Sequence, residues 1–439
     1  MKHWKQFAAA AWAAASLVLA REARAENVDC RDVTSGTRLT RLSRDYVMRC
    51  AVASSMAVRA EEKGARAADG RRTAAGVALP SNPTLGLTLG MPTDPVANEA
   101  NTLYSATLSQ ELEIAGQRGA RIDAAEAEQK MARSRVLVAR RDVVAAALAN
   151  YFDALAAAEG QRIARRLTDL AQALKGYATA RAQIGLSAPV DAVLAESEAV
   201  QLTTLALEVD QRLAETQAAL AVAVGLDPVA QRPDAEGTLT PMAIPEAALR
   251  MRGVRADGAV VRTPEIDAAM AERRAEEARA RALRRSRVPN PTVSIFARRD
   301  WIQERAVGIG LSFPIPLARN NAGEIEEANA LAERAEAEAE RLRRETRLRV
   351  VQAAEAFARR KDAVDRFDPE AVRKAEGALE AIADELATRK LALRDALVMQ
   401  RSLIDLLFGY VEARRKLCLA SVELARVTGT LGTLEGGAR

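Results

Sequence analysis

A heptad pattern of apolar residues runs through the middle of the chain. Its members recur at spacings of 4, 3, 4, 3 and 7: Ile163, Leu167, Leu170, Leu174, Tyr177 and Ile184. This spacing is typical of a helix that lies along a partner helix. The pattern stops at Gly185, and Pro189 follows shortly after it, which are common stop and start signals for helices. A second apolar series then follows: Leu194, Leu202, Leu205, Val209 and Leu220. We therefore predict an antiparallel helical hairpin with its tip at Gly185.

The helix that leads to this tip is predicted to be very long. No proline occurs between residues 117 and 183, and a continuous helix over that range would extend about 100 Å. Its first half carries a broader apolar stripe: Ile122, Val136, Val143, Leu148, Phe152 and Leu155. A wide stripe indicates packing against more than one neighbour, as in a bundle or a ring of helices.

Four short segments alternate strictly between apolar and small or polar residues. In the first, Leu85, Leu87, Leu89 and Met91 alternate with Thr84, Gly86, Thr88 and Gly90. The first segment follows the dipeptide Asn82-Pro83. The alternation recurs after residue 103, after a second Asn-Pro dipeptide at 290, and from Ala306 to Phe313. A period of two predicts strands. We expect them at about 83–91, 103–112, 290–298 and 305–314.

The order of these elements repeats along the chain. Asp395 lies 204 residues after Asp191, and Gly429 lies 204 residues after Gly225. A near-constant offset indicates an internal duplication. We predict a first repeat over residues 26–228 with a helical hairpin at about 117–225, and a second over 290–439 with a hairpin at about 321–429. A connector at 229–289 contains a helix that begins at Pro264. Pro369 should kink or break the second outgoing helix.

The first 25 residues have the character of an export signal. Lys2 and Lys5 precede a short apolar run, and a small-x-small site ends at Ala25. In an oxidising compartment Cys30 and Cys50 could pair, but the odd number of cysteines leaves this open.

Composition excludes several classes of function. The only histidine, His3, lies in the signal, so the mature chain has no imidazole for acid–base catalysis or metal ligation. We find no Gly-rich phosphate loop and no nucleophile–base set, and we therefore predict no enzymatic activity and no cofactor. Aromatic residues make up 3% of the chain, too few for base stacking, and charges nearly balance after signal removal, so nucleic acid is not expected as a partner.

Four strands pose a physical problem for a single chain. Strands of about ten residues can cross a bilayer at a tilt, but four of them cannot close a barrel, and open edges are not tolerated in lipid. Several copies that each contribute four strands would solve this. The rings of Tyr104 and Trp301 could lie at the lipid–water boundary, with plain packing as the alternative.

Several short motifs point to a known family. They comprise the Asn-Pro openings at 82 and 290, Leu108-Ser109-Gln110, Thr263-Pro264-Glu265-Ile266, Phe313-Pro314-Ile315-Pro316-Leu317, and Gly185 six residues before Asp191. In their order and duplication they resemble the TolC-like outer-membrane efflux proteins over nearly the whole mature length. The resemblance implies a mainly α fold with β-strands: coiled-coil hairpins forming an α-barrel, and four transmembrane strands per chain in a twelve-stranded homotrimeric barrel. It implies an outer-membrane exit duct that works with a periplasmic adaptor and an inner-membrane transporter of the RND type.

The resemblance also suggests site residues. Gly185, Leu186 and Ser187 match the adaptor-docking turn. The second tip, Arg389, Lys390 and Leu391, departs from the family pattern because arginine stands where glycine is usual. Asp395 and Asp191 are candidates for a periplasmic aperture, where symmetry-related carboxylates would attract cations; the alternative is that both only cap or start the return helices.

Two other interpretations stay open at this point. A soluble periplasmic adaptor or coiled-coil scaffold would also contain long hairpins, although it needs no lipid-facing strands. An enzyme with a helical accessory domain is disfavoured by the missing catalytic groups. The cargo is open between drugs and metal cations, with the general texture of the sequence leaning towards metal cations.

Overall fold

The fold was analysed in a computed structural model, which describes residue 30 and residues 41–90, 102–244, 263–300, 304–315, 320–388 and 392–431. The predicted export signal, Trp301 and the second tip at 389–391 lie outside these residues. The described helices are α1 Arg44–Ser54, α2 Met56–Ala75, α3 Gln117–Gln183, α4 Pro189–Ala223, α5 Pro264–Arg285, α6 Ala322–Asp365, α7 Pro369–Ala387 and α8 Leu393–Val427. The strands are β1 Arg41–Leu42, β2 Thr84–Gly90, β3 Leu103–Glu111, β4 Asp234–Ala235, β5 Thr292–Arg299 and β6 Arg305–Ser312.

The predicted long helices are present. Helix α3 runs for 67 residues without interruption. The break expected at Pro369 is confirmed, because α6 ends at Asp365 and α7 begins at the proline. Asp368 caps the new helix, with the Glu370 N–H donating to its Oδ1 at 3.0 Å. Among the described residues, no helix is both long enough and apolar enough to span a membrane.

The chain divides into two compact units. The first, which we call the helical unit, comprises the described residues of 1–58, 139–263 and 345–439. Its core takes up the predicted heptad pattern: Leu148, Phe152, Leu167, Leu174, Leu220, Ile382 and Leu407 are all fully buried. Close packing of this apolar seam stabilises the coiled helices.

A disulfide and a short pair of strands connect the first described residues to the rest of the helical unit. A disulfide joins Cys30 to Cys50 on α1, the pairing that the sequence left open. Strand β1 pairs in parallel with β4 to form a two-residue sheet, in which Leu42 lies opposite Ala235. The remaining cysteine, Cys418, is buried and free. Its burial raises the pKa of the thiol to about 12, so it remains protonated at neutral pH.

The second compact unit, which we call the sheet unit, comprises the described residues of 59–138 and 264–344. Its strands form one antiparallel sheet in the order β2-β3-β5-β6. The helices of this unit pack through small side chains, which allow close approach of their backbones: Ala125, Ala269, Ala275, Ala278, Ala328, Ala335 and Ala339 are buried. At one end of the strands, Glu111 leads to α3 and Ser312 leads to α6, so the turn between β5 and β6 lies at the opposite end.

The two return helices have matching limits. Both α4 and α8 contain 35 residues, and α8 begins 204 residues after α4. Each ends at a glycine with positive φ, Gly225 at 81° and Gly429 at 75°. In both turns the next N–H donates to a carbonyl of the last helical turn, Leu226 to Ala221 at 2.8 Å and Thr430 to Ala425 at 3.0 Å. The same glycine turn therefore closes both return helices.

Candidate functional surfaces

The first tip, between α3 and α4, is a compact glycine turn. Gly185 has a φ of 71°, and its N–H donates to the carbonyl of Ala182 at 3.1 Å. The Leu186 N–H donates to the carbonyl of Arg181 at 2.9 Å, which completes a Schellman motif. The Arg181 side chain returns a bond to the Leu186 carbonyl at 3.1 Å. The left-handed backbone at Gly185 therefore sets the shape of this tip.

The tip presents apolar side chains to solvent. Ile184 is 69% exposed and Leu186 is 52% exposed. Ser187 is half-buried, and within the described residues its hydroxyl has no hydrogen-bond partner. An exposed apolar pair suits a protein partner better than it suits water.

The two aspartates predicted for an aperture occupy equivalent positions but have different neighbours. Both lie in the first turn of a return helix, and neither caps it, because the N-cap residues are Ala188 and Ala392. The side chain of Asp191 is 18% exposed and accepts a hydrogen bond from Arg394 Nε at 3.4 Å. Asp395 is exposed. The structure thus pairs Asp191 with Arg394 and does not pair it with Asp395.

Arg394 was not among the site residues predicted from the sequence. The duplication offset places Asp191 and Asp395 at the same position in two helices, but it gives no sign that the two helix starts are close in space. The resulting ion pair joins the first turns of α4 and α8. Because the Arg394 side chain is 73% exposed, solvent screens this pair, and its contribution to stability is small.

A second apolar seam on α4 was also missed. Val193, Val200 and Leu207 follow one another at seven-residue intervals and are all exposed. We call these residues the outer seam. They differ from the buried residues of α4, such as Leu202 and Leu220, which pack inside the helical unit. A helix with a second heptad seam has a further surface that fits another helix.

Deeper in the helical unit, a charged cluster connects α8 to α3. Arg415 donates to Asp153 Oδ1 at 2.7 Å and to Glu412 Oε2 at 2.7 Å. The hydrogen bonds from Arg415 lower the pKa of the Glu412 carboxyl from 4.5 to about 2. The cluster is a structural tie between helices. Among the described residues, no group of acidic, cysteine or histidine side chains has the arrangement of a metal site.

The two faces of the four-stranded sheet differ in chemistry. In register, Leu87 lies beside Ala106, which lies beside Ala297, which lies beside Val307. This face, which we call the apolar face, carries large exposed side chains: Leu85, Leu87, Leu89, Leu108, Ile295, Val307, Ile309 and Leu311. The opposite, polar face carries Thr84, Thr88, Ser105, Thr107, Ser109, Thr292, Ser294, Gly308 and Gly310.

The apolar face is the more exposed of the two. Along β3 and β6 its residues are the exposed members of the alternation, and most residues of the polar face are half-buried. Val307 and Leu89 are each 80% exposed. An apolar area of this size on a soluble protein would be costly in water, so it indicates contact with lipid or with another protein.

Known proteins resemble this chain in sequence and in fold. The profile of the outer membrane efflux protein family matches residues 47–226. The cobalt-zinc-cadmium resistance protein CzcC of Cupriavidus metallidurans is 27% identical over 236 residues, which cover 53% of this chain and 55% of CzcC. The nickel-cobalt-cadmium resistance protein NccC of Alcaligenes xylosoxydans is 26% identical over 279 residues, which cover 63% of this chain and 61% of NccC. The matched stretch therefore spans between half and two thirds of these curated relatives.

Solved structures share the fold over a greater length. The outer membrane protein VceC of Vibrio cholerae has a TM-score of 0.69 at 16% identity, covering 88% of this chain and 96% of VceC. A membrane protein from Pseudomonas aeruginosa has a TM-score of 0.70 at 17% identity, covering 92% and 93%. CusC has a TM-score of 0.68 at 13% identity, covering 88% and 92%. Long helices with a small antiparallel sheet are thus a TolC-like fold, and residues 47–226 match the outer membrane efflux protein family.

Proposed function

We propose that this chain forms the outer-membrane exit duct of a tripartite efflux system. The observation that carries the proposal is the apolar face of the sheet, which is exposed and has no partner within the described chain. Lipid is the natural partner for such a face, with polar side chains directed to an aqueous lumen. The proposal makes the chain a channel component without catalytic residues or a cofactor.

Three copies complete the barrel in this proposal. Strands β2 and β6 are the edges of the sheet, and open edges cannot persist in hydrocarbon. Joining β2 of one copy to β6 of the next closes a ring of twelve strands when three copies take part. The outer seam of α4 supports the same assembly, because its heptad spacing fits a helix of a neighbouring copy below the membrane.

The duplication offers a simple plan for the periplasmic tunnel. We infer two repeats, 26–228 and 290–439, around a connector at 229–289, after removal of an export signal at 1–25. The equal length and offset of α4 and α8 support this division. Each copy would contribute two helical hairpins to a ring of helices, with the hairpin tips at the end away from the membrane.

The tips are the proposed docking sites for the periplasmic adaptor, which links the duct to an inner-membrane transporter of the RND type. Gly185, Leu186 and Ser187 support this role because their turn is rigid in shape and exposed in its apolar side chains. We assign the same role to the second tip at 389–391. Asp191 and Asp395 would lie near the narrow end, where the Asp191–Arg394 pair joins the first turns of the two return helices.

Metal cations are the cargo that we propose. The names of CzcC and NccC specify resistance to cobalt, zinc, cadmium and nickel. Removal of the chain from its host should lower tolerance of one or more of these cations, and the restored chain should recover it. Unchanged metal tolerance together with increased drug sensitivity would overturn the metal cargo and leave the duct in place.

Cross-linking of the sheet edges tests the assembly. Thr88 on β2 and Ala306 on β6 both belong to the polar face. A double cysteine variant of these positions, treated with a bismaleimide in isolated outer membranes, should give covalent dimers and trimers. Each single variant is the matched control and should stay monomeric, because a ring joins β2 only to β6. Recovery of the chain in the soluble periplasmic fraction, without cross-links, would instead support a soluble adaptor or scaffold.

A further inference from the structure

Two arginines face each other at one end of the apolar face. Arg299 ends β5, Arg305 begins β6, and the two are directly opposite in the sheet register. Both belong to the same face as Leu89 and Tyr104, because Tyr104 is the register partner of Leu89 and of Arg299, and Arg299 is the register partner of Arg305. The apolar face therefore ends in two guanidinium groups and one phenol.

Among the described residues, the polar contacts of these two arginines are with a tyrosine and not with a carboxylate. Arg299 Nη1 donates to the Tyr104 hydroxyl at 3.1 Å, and its guanidinium carbon lies 5.9 Å from the ring centroid. In the part of the chain that the structure describes, neither Arg299 nor Arg305 forms an ion pair with a carboxylate. Asp300 and Glu304 follow and precede the two arginines in sequence, and the Asp300 N–H donates to the Glu304 carbonyl at 2.9 Å.

This arrangement favours an anion from outside the chain. Like charges placed directly opposite on a sheet repel each other, and the repulsion strengthens where apolar material replaces water. The planar guanidinium group of an arginine can donate two parallel hydrogen bonds to the oxygens of a phosphate group. Two adjacent guanidinium groups on one face can therefore bind a phosphate, whose negative charge would offset the repulsion between them.

The surroundings of the arginines indicate that the phosphate belongs to an amphiphile. Both arginines line a shallow cavity of about 420 Å³, whose other walls include the aliphatic side chains of Leu87, Leu89 and Val307. A free phosphate ion would make no favourable contact with these aliphatic side chains. A lipid fits both parts, with its headgroup at the arginines and its acyl chain along the aliphatic residues.

We propose that Arg299, Arg305 and Tyr104 form a binding site for the phosphate groups of an outer-leaflet phospholipid or phosphorylated glycolipid. The proposal rests on the proposed function, because it requires the apolar face to lie in lipid. The site lies at the ends of the strands that are remote from α3 and α6. With the helices in the periplasm, this end faces the outer leaflet. Of the two lipid classes we commit to the phosphorylated glycolipid, because its several phosphates match a double arginine site.

Native mass spectrometry of the detergent-extracted assembly tests the site. The probes are diphosphorylated lipid A, the same lipid after removal of both phosphates, and inorganic phosphate. We expect the intact lipid to remain bound, and the dephosphorylated lipid and inorganic phosphate to bind at least about tenfold more weakly, since charge-assisted hydrogen bonds are lost. Equal retention of intact and dephosphorylated lipid would overturn the proposal without any substitution in the chain.

Matched variants separate this site from the general channel. Arg299→Gln with Arg305→Gln should reduce retention of lipid A at least tenfold. Arg287→Gln is the control, because it removes the same charge before β5 begins, away from the residues that line this cavity, and it should retain lipid A within about twofold. A double variant that still inserts as an assembly and binds lipid A like the wild type would refute the site and leave the duct standing. A wild-type chain absent from the membrane would refute both.

Discussion

The glycine that follows α4 gives a quantitative test of the packing in the helical unit. Gly225 has a φ of 81°, and a Cβ added there would lie 2.4 Å from Ser54 Cβ and 2.9 Å from Ser54 Oγ. Gly185 has nearly the same φ, 71°, but no heavy atom lies within 4 Å of an added Cβ. Alanine at either position bears the left-handed backbone cost of about 1–2 kcal/mol. Gly225→Ala additionally displaces Ser54, which adds roughly 1–3 kcal/mol of overpacking.

Chemical denaturation of the detergent-extracted protein, followed by its helical circular dichroism, measures the difference. Gly225→Ala should destabilise the protein by about 1–3 kcal/mol more than Gly185→Ala does. In a Ser54→Gly background the clashing atoms are absent, so the excess should disappear and leave only the backbone cost. Equal effects of the two alanines in the Ser54 background, or an excess that persists after Ser54→Gly, would refute the close approach of α1 to this turn.

Three further predictions follow from other contacts. Hydrogen bonds from Arg415 lower the pKa of the Glu412 carboxyl to about 2, so the ionised carboxylate stabilises the fold fully above pH 4.5, and this stabilisation is lost as the pH falls towards 2. Glu412→Gln should therefore flatten this part of the acid-unfolding curve. An unchanged curve would contradict the assignment. Replacing Cys30 and Cys50 by serine opens a loop with a sequence separation of 20 and should cost about 3 kcal/mol, as measured by denaturation against the oxidised wild type; equal stabilities would contradict it. In Gly185→Pro the proline cannot adopt the native positive φ, and it lacks the N–H that donates to the Ala182 carbonyl. Efflux should therefore fail while the assembly remains in the membrane. Normal efflux would contradict the docking role of this tip.

Much of the fold could be predicted because it depends on regular repetition. The heptad seam from Ile163 to Leu174 is buried as expected, and period-two alternation predicted β2, β3, β5 and β6. Glycine and proline marked the breaks, since positive φ at Gly185 and a helix start at Pro369 follow from the stereochemistry of single residues.

Other features depend on contacts between distant residues and left little trace in local pattern. The two-residue pairing of β1 with β4 is too short to produce a period. The Asp191–Arg394 pair requires knowing that the starts of α4 and α8 lie together. The disulfide was left open because three cysteines allow several pairings; the structure joins Cys30 to Cys50 and leaves Cys418 free. The residues of the outer seam recur at seven-residue intervals in the sequence, but they are interspersed with the apolar residues that are buried on the same helix.

The edges of the four-stranded sheet are the centre of the functional account, because a single chain leaves β2 and β6 open in lipid. The most direct measurement is the native mass of the complex extracted from the outer membrane in a mild detergent. The account predicts a complex of three chains that persists on dilution. A stable single chain in the same extract would contradict it.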